Sequence, residues 1–87
     1  MNIEFDLQKS HKNAIQRGLP FHVIADFDWE NAIYFEDDRR LYPEVRVIAL
    51  GFIKERLHVV CFTPITGGVR IISLRKANKR EVKRYEK

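Results

Sequence analysis

At 87 residues, with 45% hydrophobic and 32% charged residues, the chain has the size and composition of one globular domain, 1–87. No apolar run approaches the roughly 18 residues of a membrane span, which excludes a helical integral membrane protein. The formal charge of +4 hides an asymmetry: residues 70–87 carry eight Lys or Arg against two carboxylates, a net +6, while residues 1–69 net −2. A local positive potential of this kind attracts polyanions. The opening residues 1–6 have neither the basic start nor the apolar stretch of a secretory signal, which predicts a cytoplasmic protein. So small a domain buries only about 60% of its unfolded surface, so a partner covering apolar surface would stabilise it.

In chain order, Asp6 caps a polar, helix-compatible run from Leu7 to Arg17 that Gly18 stops. Pro20 suits a first helical turn, and Phe21, Ile24 and Phe27 at spacing three predict a second short amphipathic helix ending near Asp28. Residues 31–35 have strand composition, and the charged cluster from Glu36 to Arg40, with Pro43, reads as a loop. Three further strands are predicted at Val45 to Ile53, Leu57 to Thr63 and Val69 to Arg75, joined by Lys54-Glu55-Arg56 and by residues 64–68. Asn78 with Glu81 three residues on is a capping box that opens a last helix, packed by Val82 and Tyr85. The expected fold is α+β in the order ααββββα: a four-stranded antiparallel sheet, two N-terminal helices and one C-terminal helix.

Strand alternation places Arg46 with Ile48 and Leu50, and Arg70 with Ile72 and Leu74. A mid-strand arginine is costly to bury unpaired. Either each lies near a strand end beside a carboxylate such as Glu44 or Glu55, or the sheet has an open face on which the arginines form a phosphate-binding floor. Cys61, alone in the chain, forms no internal disulfide and reads as a buried inert thiol.

The run Arg70-Ile71-Ile72-Ser73-Leu74-Arg75-Lys76-Ala77-Asn78-Lys79-Arg80-Glu81, continuing to Tyr85-Glu86, resembles the C-terminal signature of the BrnT family of bacterial toxins. Phe5-Asp6, Lys9, Asn13, Gly18, Phe21 and Ala25 resemble its N-terminal pattern, and Arg46 with Gly51 matches its strand motif. The resemblance implies a RelE-like ribonuclease toxin of a type II toxin–antitoxin system that cuts RNA and blocks translation. It implies a BrnA-type ribbon-helix-helix antitoxin as partner, two toxins with an antitoxin dimer, and operator DNA bound through that antitoxin. Two positions depart from the family: Arg17 stands where a His is usual, and Ile65 stands where an Arg is usual, two residues after the Thr that ends the third strand.

Metal-independent RNA cleavage needs the 2′-hydroxyl aligned on its phosphate, cations on the pentavalent state, and groups that move two protons. Arg46 and Arg70 are the candidates for phosphate stabilisation, since a guanidinium fork holds two oxygens at once. Glu44 is either the partner of Arg46 or a base, and His58 either a packed histidine or a proton-transfer group. Arg75, Lys76, Lys79, Arg80, Lys83 and Arg84 are candidate RNA contacts, although a solvated face that keeps the protein soluble, or contact with an acidic partner, would also account for the helical four. Tyr85 reads as a helix anchor, and Trp29 as either core or partner surface. One Cys and three scattered His offer no zinc-ligand spacing, and no cofactor or metal is expected. The competing reading is a catalytically degenerate toxin that serves as partner and co-regulator of a DNA-binding antitoxin, favoured by Ile65. A weaker third reading is direct nucleic-acid binding by the C-terminal helix.

Overall fold

The computed structural model describes all 87 residues, Met1–Lys87. Its elements are β1 (Asn2–Glu4), α1 (Leu7–Arg17), a 3₁₀ helix (Phe21–Asp26), β2 (Ile33–Glu36), β3 (Val47–Ile53), β4 (Arg56–Ile65), β5 (Gly68–Lys76) and α2 (Lys79–Glu86). The α+β class and the two capped α-helices are as expected. The sheet is not: it has five strands in the order β1-β5-β4-β3-β2, four of them antiparallel and β1 parallel to β5.

Each correction has a physical cause. The unpredicted β1 is three residues long and takes its place because Gly68 has no side chain: a Cβ there would sit 1.9 Å from the Asn2 carbonyl oxygen. The expected second α-helix is a 3₁₀ helix, with Phe21 and Ile24 buried one turn apart. A strict spacing of three is the 3₁₀ period, whereas an α-helix would swing such residues off one face. The meander is tighter than expected, since Ile53 pairs with Arg56 and Ile65 with Gly68 across two-residue turns. Gly67 supplies the positive φ of 78° at the second turn. Pro64 lies inside β4, one pair in from that turn, where its missing N–H points away from β5 and past the end of β3.

One face of the sheet is covered. Ala49, Ile53, Val60, Phe62, Val69, Ile71 and Leu74 pack against Phe21, Ile24 and Phe27 of the 3₁₀ segment. Gly51 belongs to this face, where a Cβ would meet the Phe27 ring at 2.6 Å. Helix α1 is held by polar groups instead of an apolar stripe: the Phe21 N–H donates to Ser10 Oγ at 2.8 Å, and Asn13 Nδ2 donates to the Leu19 and Leu74 carbonyls at 2.7 and 2.9 Å. The opposite face is covered by a helix only at one end, where Val82 and Tyr85 of α2 close over Leu50, Leu57, Val59 and Ala77.

A β-bulge breaks the register of β5. Phe62 pairs with Ile71 but Cys61 pairs with Ser73, so Ile72 is the extra residue. Alternation therefore reverses within the strand: Arg70, Ser73 and Arg75 share the half-open face, while Ile71 and Leu74 share the covered one. Arg70 does not lie with Leu74, as uninterrupted alternation predicts.

Candidate functional site

The half-open face carries a row of polar residues at the end of the sheet away from α2. Glu36 pairs with Val47, Val47 with Phe62, Thr63 with Arg70 and Arg70 with Glu4. Continuing the β2–β3 and β3–β4 registers by one residue gives the row Asp37, Arg46, Thr63, Arg70, Glu4 across five adjacent chain segments. The Asp37 N–H confirms the first step by donating to the Arg46 carbonyl at 2.8 Å. Neighbouring strands lie about 4.8 Å apart, so side chains on one face of such a row are in mutual reach.

A cavity of about 390 Å³ opens over this row, lined by Arg46, Thr63, Arg70, Glu4 and Glu44 among others, with Lys9 at its rim. Both arginines belong to it, so the structure brings the two phosphate-binding candidates together. Both are also paired. Arg46 donates to Glu44 at 3.3 Å and stacks over the Tyr42 ring at 3.9 Å, which fixes its plane. Arg70 donates to Glu4 at 3.0 and 2.9 Å, with half its side chain exposed. The expected carboxylate partner is thus found for Arg46, whereas that of Arg70 is on β1, a strand the sequence pattern does not announce.

Beside this cavity, Asp37 has a side chain only 1% exposed, gripped by Arg39 at 2.8 and 2.9 Å. Those hydrogen bonds hold its carboxyl below the usual range and raise Arg39 in turn. Cys61 is buried on the same face, and burial pushes its thiol up, which keeps it protonated at neutral pH.

A second cavity of about 340 Å³ lies between β2–β3, the Arg39 loop and α2, lined by Phe35, Arg39, Ile48, Leu50, Arg75, Asn78, Arg80, Glu81 and Arg84. Four guanidiniums face one carboxylate there. Arg84 stacks on the Phe35 ring at 4.0 Å, and Arg75 is clasped by Glu81 at 2.8 and 2.7 Å. The helical cations divide by their spacing of four: Arg80 and Arg84 turn to this cavity, while Lys79 and Lys83 line a different depression with Arg56 and Glu86. Lys76 is exposed and, by alternation, lies on the other face of the sheet from Arg75.

His58 does not join the arginines. It shares the covered face with Val60 and Phe62, is 4% exposed, and hydrogen-bonds the Arg56 carbonyl through Nδ1 at 2.8 Å. Burial lowers its pKa, so it is neutral at neutral pH. Its environment is that of a packed histidine. Trp29 is half-buried with its ring edge-on to Phe27 and Phe62, and Tyr85 anchors α2 by donating to the Asn31 carbonyl at 3.0 Å. Thr63, Glu4, Arg39 and Phe35 are the contributors that sequence reasoning misses. For Arg39 and Phe35 the signal was present, as a charged cluster following an aromatic strand.

The family described as the ribonuclease toxin BrnT of type II toxin–antitoxin systems matches residues 5–81. The chain belongs to the BrnT family. No curated protein sequence matches it. The BrnT match spans every residue of the two cavities except Glu4 and Arg84, so the arginine face lies within the part of the chain that defines a ribonuclease toxin. Membership carries with it an RNA substrate and an antitoxin partner. No helix is long and apolar enough to cross a membrane.

Proposed function

We propose that the chain is a metal-independent endoribonuclease of the bacterial cytoplasm whose reaction centre is the Arg46–Arg70 cavity. The observation that carries this reading is that two arginines, Arg70 within β5 and Arg46 immediately before β3, which starts two residues later than the expected Val45, line one cavity within the matched region of a ribonuclease toxin family. The two guanidiniums supply the positive charge that the pentavalent phosphate develops, and a rigid sheet holds them there without reorganisation. Glu44 lines the same cavity and is the carboxylate best placed to take a proton from a 2′-hydroxyl when phosphate draws Arg46 away from it. The cleft of Arg39, Arg75, Arg80 and Arg84 with Phe35 continues the positive surface and offers the strand flanking phosphates and an aromatic plane. Cleavage of RNA in this cavity blocks translation.

A BrnA-type ribbon-helix-helix antitoxin neutralises the toxin, with two toxins around an antitoxin dimer that binds operator DNA. A second reading, a degenerate toxin retained as the antitoxin's partner, is favoured by Ile65. It lies on β4 two residues beyond Thr63, on the same face, where the family's arginine would add a further cation.

Inducing the chain alone in a bacterium, with growth and bulk RNA followed together, tests the reading. Arrest accompanied by RNA cleavage, reproduced by purified protein in EDTA, is expected. Normal growth with intact RNA, alongside tight binding of a neighbouring ribbon-helix-helix protein, establishes the degenerate partner instead.

A further inference from the structure

Thr63 occupies the centre of the polar row, between Arg46 and Arg70, and lines their cavity. It is 7% exposed, and its Oγ1 is buried with no hydrogen-bond partner. A buried hydroxyl left unpaired costs stability that an apolar isostere would not. Strand β4 uses that isostere elsewhere, as Val59 and Val60, and at position 63 carries the hydroxyl instead. The other buried polar atom without a partner is Trp29 Nε1, which packs with the opposite face. The one buried donor left unpaired on the half-open face therefore sits between the two guanidiniums.

We propose that Thr63 is the third donor of an oxyanion seat, its hydroxyl completing with Arg46 and Arg70 a site for a phosphate group. This rests on the reading of the cavity as the place where RNA is cut. In the free protein Glu44 and Glu4 hold the two guanidiniums. An incoming phosphate replaces those carboxylates, the forks take its oxygens from either side, and the Thr63 O–H donates to a non-bridging oxygen from the sheet floor. Thr63 forms and breaks no covalent bond. Its hydrogen bond strengthens as charge accumulates on the equatorial oxygens of the pentavalent state, so its loss falls on kcat more than on KM.

The test compares Thr63→Val and Thr63→Ser in the full chain, by thermal melting, RNA cleavage, and titration with inorganic phosphate followed through the arginine side-chain NMR signals. Thr63→Val is expected to melt at or above the wild-type temperature. It should cleave RNA about 10- to 100-fold more slowly and bind phosphate measurably more weakly, while Thr63→Ser stays within about threefold of wild type in both. Wild-type cleavage and phosphate affinity in Thr63→Val overturn the proposal. So does a Thr63→Val protein that melts well below wild type with no rescue by serine, since that marks a packing residue. If the wild-type chain cuts no RNA yet loses phosphate binding on Thr63→Val, the seat stands and the ribonuclease reading falls.

Discussion

Arg75 grips Glu81 with both terminal nitrogens, at 2.8 and 2.7 Å, and this one ion pair joins the end of β5 to the first turn of α2. Glu81 also accepts from the Asn78 N–H at 2.9 Å, while Asn78 Oδ1 receives the Glu81 N–H, so the capping box and the sheet anchor share a single carboxylate. Helix α2 has eight residues, too few to persist alone in water, and stands by this clasp together with Val82 and Tyr85.

Glu81→Ala is therefore expected to cost about 1–2 kcal/mol, from loss of a cap and of a partly exposed bidentate pair. The Arg75 hydrogen bonds lower the Glu81 carboxyl below its usual value, so the unfolded chain takes up its proton first. Its contribution is complete above the ordinary glutamate value of about 4.3 and is lost as pH falls from there through the depressed folded value. Melts between pH 7 and pH 3 should show a shallower acid slope for Glu81→Gln than for wild type. The slope that remains belongs largely to Asp37, held low in the same sense by Arg39.

Arg46→Ala and Arg70→Ala are each expected to abolish toxicity and to slow RNA cleavage about 10²–10³-fold, the usual effect of losing one fixed transition-state donor. Neither should unfold the protein, because Arg70 is half exposed and Arg46 is paired at the surface with Glu44. Lysine at either position restores activity only in part, since it keeps the charge without the fork. Cleavage assays with matched thermal melts decide the matter. Unfolded alanine variants would mean that the arginines are structural, and fully active ones that the reaction centre is elsewhere.

The division of the helical cations makes the salt dependence of RNA binding side-specific. Replacing Arg80 and Arg84, which line the cleft with Arg39 and Arg75, should lower the slope of log K against log salt by about one for each phosphate contact removed. Replacing Lys79 and Lys83, which face the Arg56 depression, should leave the slope near wild type. Equal effects from the two pairs would show that RNA reads the helix as a diffuse charge.

The elements most legible in the sequence are those specified by adjacent residues. Asp6 and Gly18 bound α1, Asn78 and Glu81 open α2, and the apolar runs mark β3, β4 and β5. What escapes is set by contacts distant in the chain. Strand β1 depends on the bare backbone of Gly68, 66 residues after Asn2, and the bulge at Ile72 reverses an alternation that the residues of β5 alone present as unbroken. The candidate site follows the same division. Arg46 and Arg70 are visible in the sequence as cations in apolar strand runs, although Arg46 falls just before β3, but Glu4 and Thr63 join them only through register, and His58 is assigned to the covered face only once the sheet has sides.

That assignment leads to an expectation for His58. Burial lowers its pKa, so the unfolded chain binds the proton more readily than the folded one. Its effect on stability is absent well above the ordinary histidine value of about 6.5 and becomes a loss as pH falls through that value. His58→Gln should flatten the stability profile between pH 7 and pH 5 and leave the acid slope near pH 4 in place. It should also leave kcat for RNA cleavage within about twofold of wild type at pH 7, because the residue lies across the sheet from Arg46 and Arg70. Melts and single-turnover cleavage across that range are the measurement. A drop in kcat of two orders of magnitude, with stability unchanged, would place proton transfer at His58 and require the covered face to open during turnover.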